Sequence, residues 1–227
     1  MTTSHPSVAV LWDMDGVLID SEPLLHEAER LTFEEYGADF TLEDKKQFVG
    51  LGGHELMRLM AEFLEVDEDP EVLGEKKLVH VLNLLGAVEG YEPTTAMVKL
   101  LADQGVPMAV ASGSSPTMIG IALTTVGLAD YLPTRVAAVE VPRGKPAPDI
   151  FLEAAHRLGV DPANCVVVED AVPGVKAAKE AGMRVIAIPY LTDPYDEQFD
   201  IADVVIPGGM KDANAEELVD WILTPQE

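Results

Sequence analysis

Apolar and polar positions change period along this chain, and the change divides it. Val8-Ala9-Val10-Leu11-Trp12 is an unbroken apolar run closed by Asp13, which predicts a buried strand. Helical spacing follows from Leu24 to about Tyr36, where Gly37 stops it. Ser21 is a candidate N-cap for this helix, with Pro23 in its first turn. Leu42 to Phe48 predicts a shorter helix, and Val49 to Gly53 reads as a connector. Glu55 to Leu64 carries Leu56, Leu59, Met60 and Phe63 on one side, and Glu71 to Leu85 predicts a fourth helix. No strand pattern occurs between about residues 20 and 90. Four helices therefore interrupt whatever sheet the first strand begins, and Gly86 to Pro93 reads as the return linker.

From residue 94 helices and strands alternate. Helices are expected at 95–104, 116–126, 148–158, 172–181 and 215–223. Strands are expected at 107–111, 136–139, 166–168, 184–188 and 203–206. That alternation implies an α/β fold, a parallel sheet covered by helices on both faces.

Composition narrows the class. With 48% hydrophobic residues over 227 positions, the chain can bury one large core plus a smaller lobe. No apolar run approaches the roughly 20 residues that span a bilayer, and residues 1–6 lack the basic-then-apolar pattern of a secretory signal. The single cysteine, Cys165, cannot form an internal disulfide and sits in an apolar run, as a buried structural thiol does. These features point to a cytoplasmic, enzyme-sized protein. A formal charge of −25 argues against nucleic acid or an anionic membrane as partner. If the substrate is an anion, its site must be locally positive, through a metal ion, helix N-termini and one or two placed lysines.

Four strand ends carry candidate chemistry, all on the edge where open α/β sheets bind ligands. Asp13 and Asp15 follow the first strand; two anions this close stay ionised only if a cation or donors balance them. Ser112-Gly113-Ser114 offers a hydroxyl and backbone N–H groups to an anion, although Ser-rich turns commonly just cap helices. In Arg143-Gly144-Lys145-Pro146-Ala147-Pro148-Asp149 two prolines brace the lysine, so its ammonium can be aimed at a phosphate. Alone it would read as a surface lysine, and Asp149 as a helix cap. Glu169-Asp170 follows the very apolar Val166-Val167-Val168. Carboxylates there are costly unless paired or metal-bound, and hard oxygen ligands with room for water suit Mg²⁺. Helix capping by Asp170 is the competing reading. Together the groups make the inventory of phosphoryl transfer: an in-line nucleophile and positive charge on the phosphate oxygens.

The order of these motifs resembles the haloacid dehalogenase superfamily over essentially the whole chain. The resemblance rests on Asp13-Met14-Asp15-Gly16, the Ser112 loop, Lys145 in Gly144-Lys145-Pro146-Ala147-Pro148-Asp149, and Glu169-Asp170. The segment from Trp12 to Leu24 is similar to the subgroup containing sugar-phosphate phosphatases and β-phosphoglucomutase. The resemblance implies a Rossmann-like core from residues 1–18 and 90–227 and a four-helix cap domain from 19–89. It implies Asp13 as nucleophile, forming an aspartyl-phosphate, and Asp15 as general acid/base. Mg²⁺ would be held by Asp13, the Asp15 carbonyl and Asp170, with Glu169 ligating or holding a bound water. Ser112 and Gly113 would hold phosphate oxygens and Lys145 would neutralise them. The cap would close over the substrate and exclude water, with Glu22 and His54 as candidate substrate contacts. For Glu22 a first-turn role at a helix N-terminus is the competing reading.

Within that family Asp15 disfavours dehalogenation, and Lys45-Lys46 read as a solvated pair rather than a Schiff-base lysine. The mutase is the rival, but Leu25 stands where it has a histidine, Ser115 where it has a lysine, and the Gly50-Leu51-Gly52-Gly53 connector carries no arginine. The reading is a Mg²⁺-dependent phosphatase of a sugar or polyol monophosphate, with the mutase and a non-catalytic phosphate-binding protein as alternatives. The full motif set permits a monomer.

Overall fold

A computed structural model describes residues 8–48, 53–190 and 195–224. They divide into two compact units, one from the segments up to Asp20 and from Glu89 onward, the other Ser21–Val88. The first is an α/β unit. Its strands β1 (Ala9–Trp12), β4 (Met108–Ser112), β5 (Thr134–Ala137), β6 (Cys165–Glu169), β7 (Arg184–Ala187) and β8 (Val204–Val205) form one parallel sheet in the order β5-β4-β1-β6-β7-β8. Every residue of β1, β4 and β6 is buried, which is why these strands read as continuous apolar runs rather than alternating ones. Ile150, Phe151, Ala154 and Ala155 pack on the sheet residues Leu11, Ala109 and Val167 from one helix, and Val175, Ala177 and Ala178 from another. Cys165 is buried in the same core, where burial pushes its thiol up to about 11.

Strand order places the site. From β1 the chain builds outward through β4 and β5 on one side, then crosses to β6, β7 and β8 on the other. The reversal flanks β1, so the crevice beyond the carboxyl ends of β4, β1 and β6 is the switch point where such sheets bind ligands. A second, antiparallel ladder pairs β2 (Ile19–Asp20) with β3 (Glu89–Gly90). Two residues are too short for an alternation to show, so this pairing was not expected from the sequence. It brings the chain's exit to the helical segment beside its return.

The helical unit contains α1 (Glu22–Glu34), α2 (Leu42–Lys45) with a 3₁₀ turn over Lys46–Phe48, α3 (Gly53–Phe63) and α4 (Pro70–Leu84). Of the expected connector, residues 49–52 lie outside the described residues. Thr41 and Asp44 form a capping box, and Asp69 caps α4 through the Glu71 N–H. Ser21 does not act as the expected cap: its backbone is already helical (φ −86°, ψ −14°), and its side chain makes no cap hydrogen bond. Phe33, Phe40, Phe48, Met57, Met60 and Leu73 make a separate core, with Phe33 and Phe40 ring centroids 6.3 Å apart. Glu29 on α1 is buried, held by Lys77 at 2.5 Å and Lys45 at 3.4 Å.

One strand ends early. Val139, expected in a strand, is 76% exposed in a 3₁₀ turn (Ala138–Glu140). The Glu140 carboxylate accepts the Ala137 N–H at 2.8 Å and turns the chain there. Among the described residues no helix is long and apolar enough to cross a membrane.

Because Phe33 is fully buried in the helical unit's own core, Phe33→Ala is expected to destabilise that unit by about 3–5 kcal/mol. Urea unfolding followed by circular dichroism should show an earlier helical transition. An unchanged midpoint would show that the aromatic cluster does not hold the unit.

Candidate active site

The site starts where β1 runs out. The Asp13 N–H still bonds the Val168 carbonyl at 3.0 Å, so β6 holds the residue that follows the strand. The next residues make a tight loop around one oxygen. The Met14 carbonyl accepts from the N–H groups of Val17, Leu18 and Ile19, while the Gly16 N–H bonds the Ile19 carbonyl at 2.9 Å. Met14 itself is fully buried and pegs the loop to the core. Gly16 sits at φ +80°, a conformation that side chains resist. A Cβ there would lie 2.6 Å from Asp170 Cγ and closer still to Oδ2. The bare backbone of Gly16 is what lets the Asp170 carboxylate lie against this loop.

Asp15 is set by the serine turn after β4. Its Oδ2 accepts from Ser114 Oγ at 2.8 Å and Ser112 Oγ at 3.3 Å, and Ser112 Oγ accepts the Ser114 N–H at 3.0 Å. The cap in this turn is a different serine: Ser115 Oγ accepts the Met118 N–H in the first turn of α6 (Pro116–Thr125). Gly113 lies exposed in the same turn.

Lys145 comes from the loop after β5. Arg143 and Asp149 pair across that loop, Nη2 to Oδ2 at 2.7 Å and Nε to Oδ1 at 3.2 Å. Asp149 is thus not the expected cap. It lies one residue inside α7 (Asp149–Leu158), where Pro148 holds the cap position. The Lys145 ammonium meets Asp13 Oδ1, Glu169 Oε1 at 2.6 Å, and the face of Phe151 at 4.9 Å from its centroid. Glu169 is 1% exposed, and its Oε2 accepts the N–H groups of Asp170 and Ala171 at 2.9 Å each. Ala171, not Asp170, occupies the cap position of α8 (Val172–Glu180).

Like charge dominates the electrostatics. Burial, with Glu169 and Asp15 nearby, pushes Asp13 up to about 8 despite the Lys145 ammonium. Asp170 is raised well above the usual carboxylate range by burial, then by Glu169, Asp13 and Asp15. Burial alone would lower Lys145, but Asp13 and Glu169 outweigh it and raise it. One ammonium does not balance this cluster, and a divalent cation would. Among the described residues no three His, Cys, Asp or Glu side chains form a ready-made metal cage. Asp13 and Asp170 are hard oxygen donors whose crowding a cation would relieve, and a cation that needs only one or two carboxylates and keeps its remaining positions for water or phosphate would fit them.

The structure thus joins Asp13, Asp15, Ser112, Lys145, Glu169 and Asp170 through hydrogen bonds and mutual repulsion, with Gly113 in the same turn. Glu22 and His54 lie in the helical unit. Glu22 pairs with Lys45 at 2.9 Å in the first turn of α1, and His54 is exposed at the start of α3. Sequence reasoning named Ser114 only as part of the Ser112-Gly113-Ser114 turn, with no bond to Asp15, and gave no role to Phe151. Ser114 was within reach, since it stands in the same serine triplet. Phe151 carried no signal beyond an apolar position in a helix.

Comparison with known proteins places the chain among relatives. The haloacid dehalogenase-like hydrolase family model matches residues 8–182. Fructose-1-phosphate phosphatase YqaB of Escherichia coli K12 is 34% identical over 79% of this chain and 95% of its own. Hexitol phosphatase B of the same strain is 32% identical over 90% of this chain and 93% of its own. A solved structure of a candidate beta-phosphoglucomutase from Thermotoga maritima superposes with a TM-score of 0.79 at 26% identity, covering 95% of this chain and 98% of that one.

The raised Asp13 value has a sign that can be tested. Between its ordinary value of 3.8 and about 8, the folded protein keeps a proton that the unfolded chain releases. This group's contribution to stability therefore falls as pH rises through that window. In protein treated with EDTA, Asp13→Asn should gain stability relative to wild type as pH is raised from about 4 to about 8. Thermal midpoints across that range measure it, and a constant difference between the two proteins would show that Asp13 titrates as an ordinary carboxylate.

Proposed function

The chain belongs to the haloacid dehalogenase-like hydrolases, and we propose that it is a magnesium-dependent phosphatase of a small sugar or polyol monophosphate. The observation that carries this reading is the buried Asp13–Lys145 pair with Asp15 two residues on, fixed by two serine hydroxyls at the sheet's switch point. Asp13 is a carboxylate nucleophile whose partner ammonium neutralises the incoming phosphate. A carboxylate oxygen of Asp13 attacks phosphorus, and Asp15 gives its proton to the departing alkoxide. Asp15, now a base, takes a proton from the water that cleaves the aspartyl-phosphate, which returns Asp13. Ser112 and Ser114 keep Asp15 in one orientation for both transfers, and Ser112 and Gly113 belong to the turn proposed to hold phosphate oxygens. Magnesium, when bound to Asp13 and Asp170, supplies further positive charge for the phosphate oxygens.

The substrate class is supported by the two relatives named for fructose 1-phosphate and hexitol phosphates. The role of the helical unit as a cap, with Glu22 and His54 directed to substrate hydroxyls, belongs to the same proposal. The mutase reading is supported by the Thermotoga maritima structure. Against it stand Leu25 and Ser115, whose hydroxyl is used as a helix cap.

Wild-type protein with Mg²⁺ is expected to release p-nitrophenol from p-nitrophenyl phosphate, and EDTA to stop it. Asp13→Asn should bring hydrolysis to background, and Asp15→Asn should lower it by roughly 10²–10⁴-fold. No release by the wild type would favour a phosphate-binding protein. With β-glucose 1-phosphate, free inorganic phosphate is expected; glucose 6-phosphate accumulating without it would establish the mutase.

A further inference from the structure

Lys145 is held from three elements: Asp13 after β1, Glu169 at the end of β6, and the Phe151 ring in α7. Glu169 can serve only because α8 leaves room for it. Gly174, the third residue of α8, is buried. A Cβ built on it would lie 2.6 Å from Glu169 Oε2 and closer still to Oε1 and Cδ, inside the 3.0 Å that Cβ atoms essentially never show. The carboxylate is folded back over the helix start. There Oε2 takes the Asp170 and Ala171 N–H groups, which turns Oε1 to Lys145.

An ammonium has three N–H donors. With two directed at Asp13 and Glu169, the third has a fixed direction. Without Glu169, the flexible stem would let the charge swing. We infer that Gly174 is a positioning residue: its bare Cα admits the Glu169 carboxylate, and that carboxylate aims Lys145 at the phosphate rather than ligating the metal. The acidic pair after β6 then divides its work, with Asp170 against Gly16 serving the cation and Glu169 against Gly174 serving the lysine. This rests on the phosphatase reading of the site.

A double-mutant cycle in the full chain tests it, using Gly174→Ala, Glu169→Ala and the double variant, with Asp170→Ala for comparison. Three quantities are read: kcat/KM for p-nitrophenyl phosphate, inorganic phosphate binding by calorimetry, and Mg²⁺ binding by calorimetry without substrate. Each single variant is expected to lower kcat/KM by roughly 10²-fold, the scale of a misplaced catalytic group, and to weaken phosphate binding. Mg²⁺ affinity should fall far less in Glu169→Ala than in Asp170→Ala. The double variant should be no worse than Glu169→Ala alone, because Gly174→Ala acts only through that carboxylate.

Additive losses would overturn the assignment, as would Mg²⁺ affinity falling as far in Glu169→Ala as in Asp170→Ala. If Gly174→Ala alone does not fold, the double variant, which removes the clash, is expected to fold. A double variant that also fails would assign Gly174 to helix packing instead. Wild-type protein that binds phosphate but cleaves no ester would end the phosphatase reading, and the binding cycle would still decide the role of Gly174.

Discussion

Confinement of like charge at the ends of two adjacent buried strands is the constraint on which the rest of the structure depends. Asp13, Glu169 and Asp170 crowd where β1 and β6 end, and Asp15 lies two residues on. Unbalanced, such an arrangement would protonate or swell, because low dielectric penalises each charge and strengthens each repulsion. The fold answers with several local devices. Lys145 is brought in on a loop clamped by Arg143 and Asp149. Two backbone N–H groups neutralise one oxygen of Glu169, and two serine hydroxyls take one oxygen of Asp15. Two glycines, Gly16 and Gly174, give up side chains so that carboxylates fit against backbone. These devices leave the cluster short of positive charge, and the proposed divalent cation would supply it.

That local balance is how a chain with net charge −25 would accept the proposed phosphate. The global field opposes phosphate, yet in water it is screened over about 8–10 Å, while the Lys145 ammonium and the donors of the serine turn act at contact distance. A bound cation acts at the same range. The acidic excess elsewhere is largely exposed or paired on helices, as in Arg30 with Glu27 and Glu34, or Arg58 with Glu62. Such pairs contribute little to stability. The two hydrophobic cores supply it: one around the sheet, one around the phenylalanines of the helical unit.

The sheet was readable in the sequence because buried parallel strands leave unbroken apolar runs. β1, β4 and β6 are buried along their whole length, and each appears as such a run. The two-residue ladder of β2 and β3 was not, since pairing of that length leaves no periodicity. Val139 misled because its hydrophobicity suits a strand, while a side-chain bond from Glu140 three residues past Ala137 ends the strand first. Ser21 and Asp149 looked like caps by residue type alone. Capping also needs a non-helical backbone at the right position, and neither residue has it.

The site was readable for a different reason. Charged residues directly after apolar strands are rare enough to mark chemistry, so Asp13 and Glu169-Asp170 stood out, while Lys145 stood out through the two prolines that follow it. What composition cannot show is which atom each side chain addresses. Glu169 and Asp170 are adjacent acids, and their spacing alone suggests one shared ligand. The backbone gives them different neighbours: Asp170 abuts Gly16 across from β1, while Glu169 turns back over Gly174 to the lysine. The residues that decide this, two glycines and a phenylalanine, carry no charge and no nucleophile. They act by leaving space or presenting a ring face, and such roles exist only once the chain is folded.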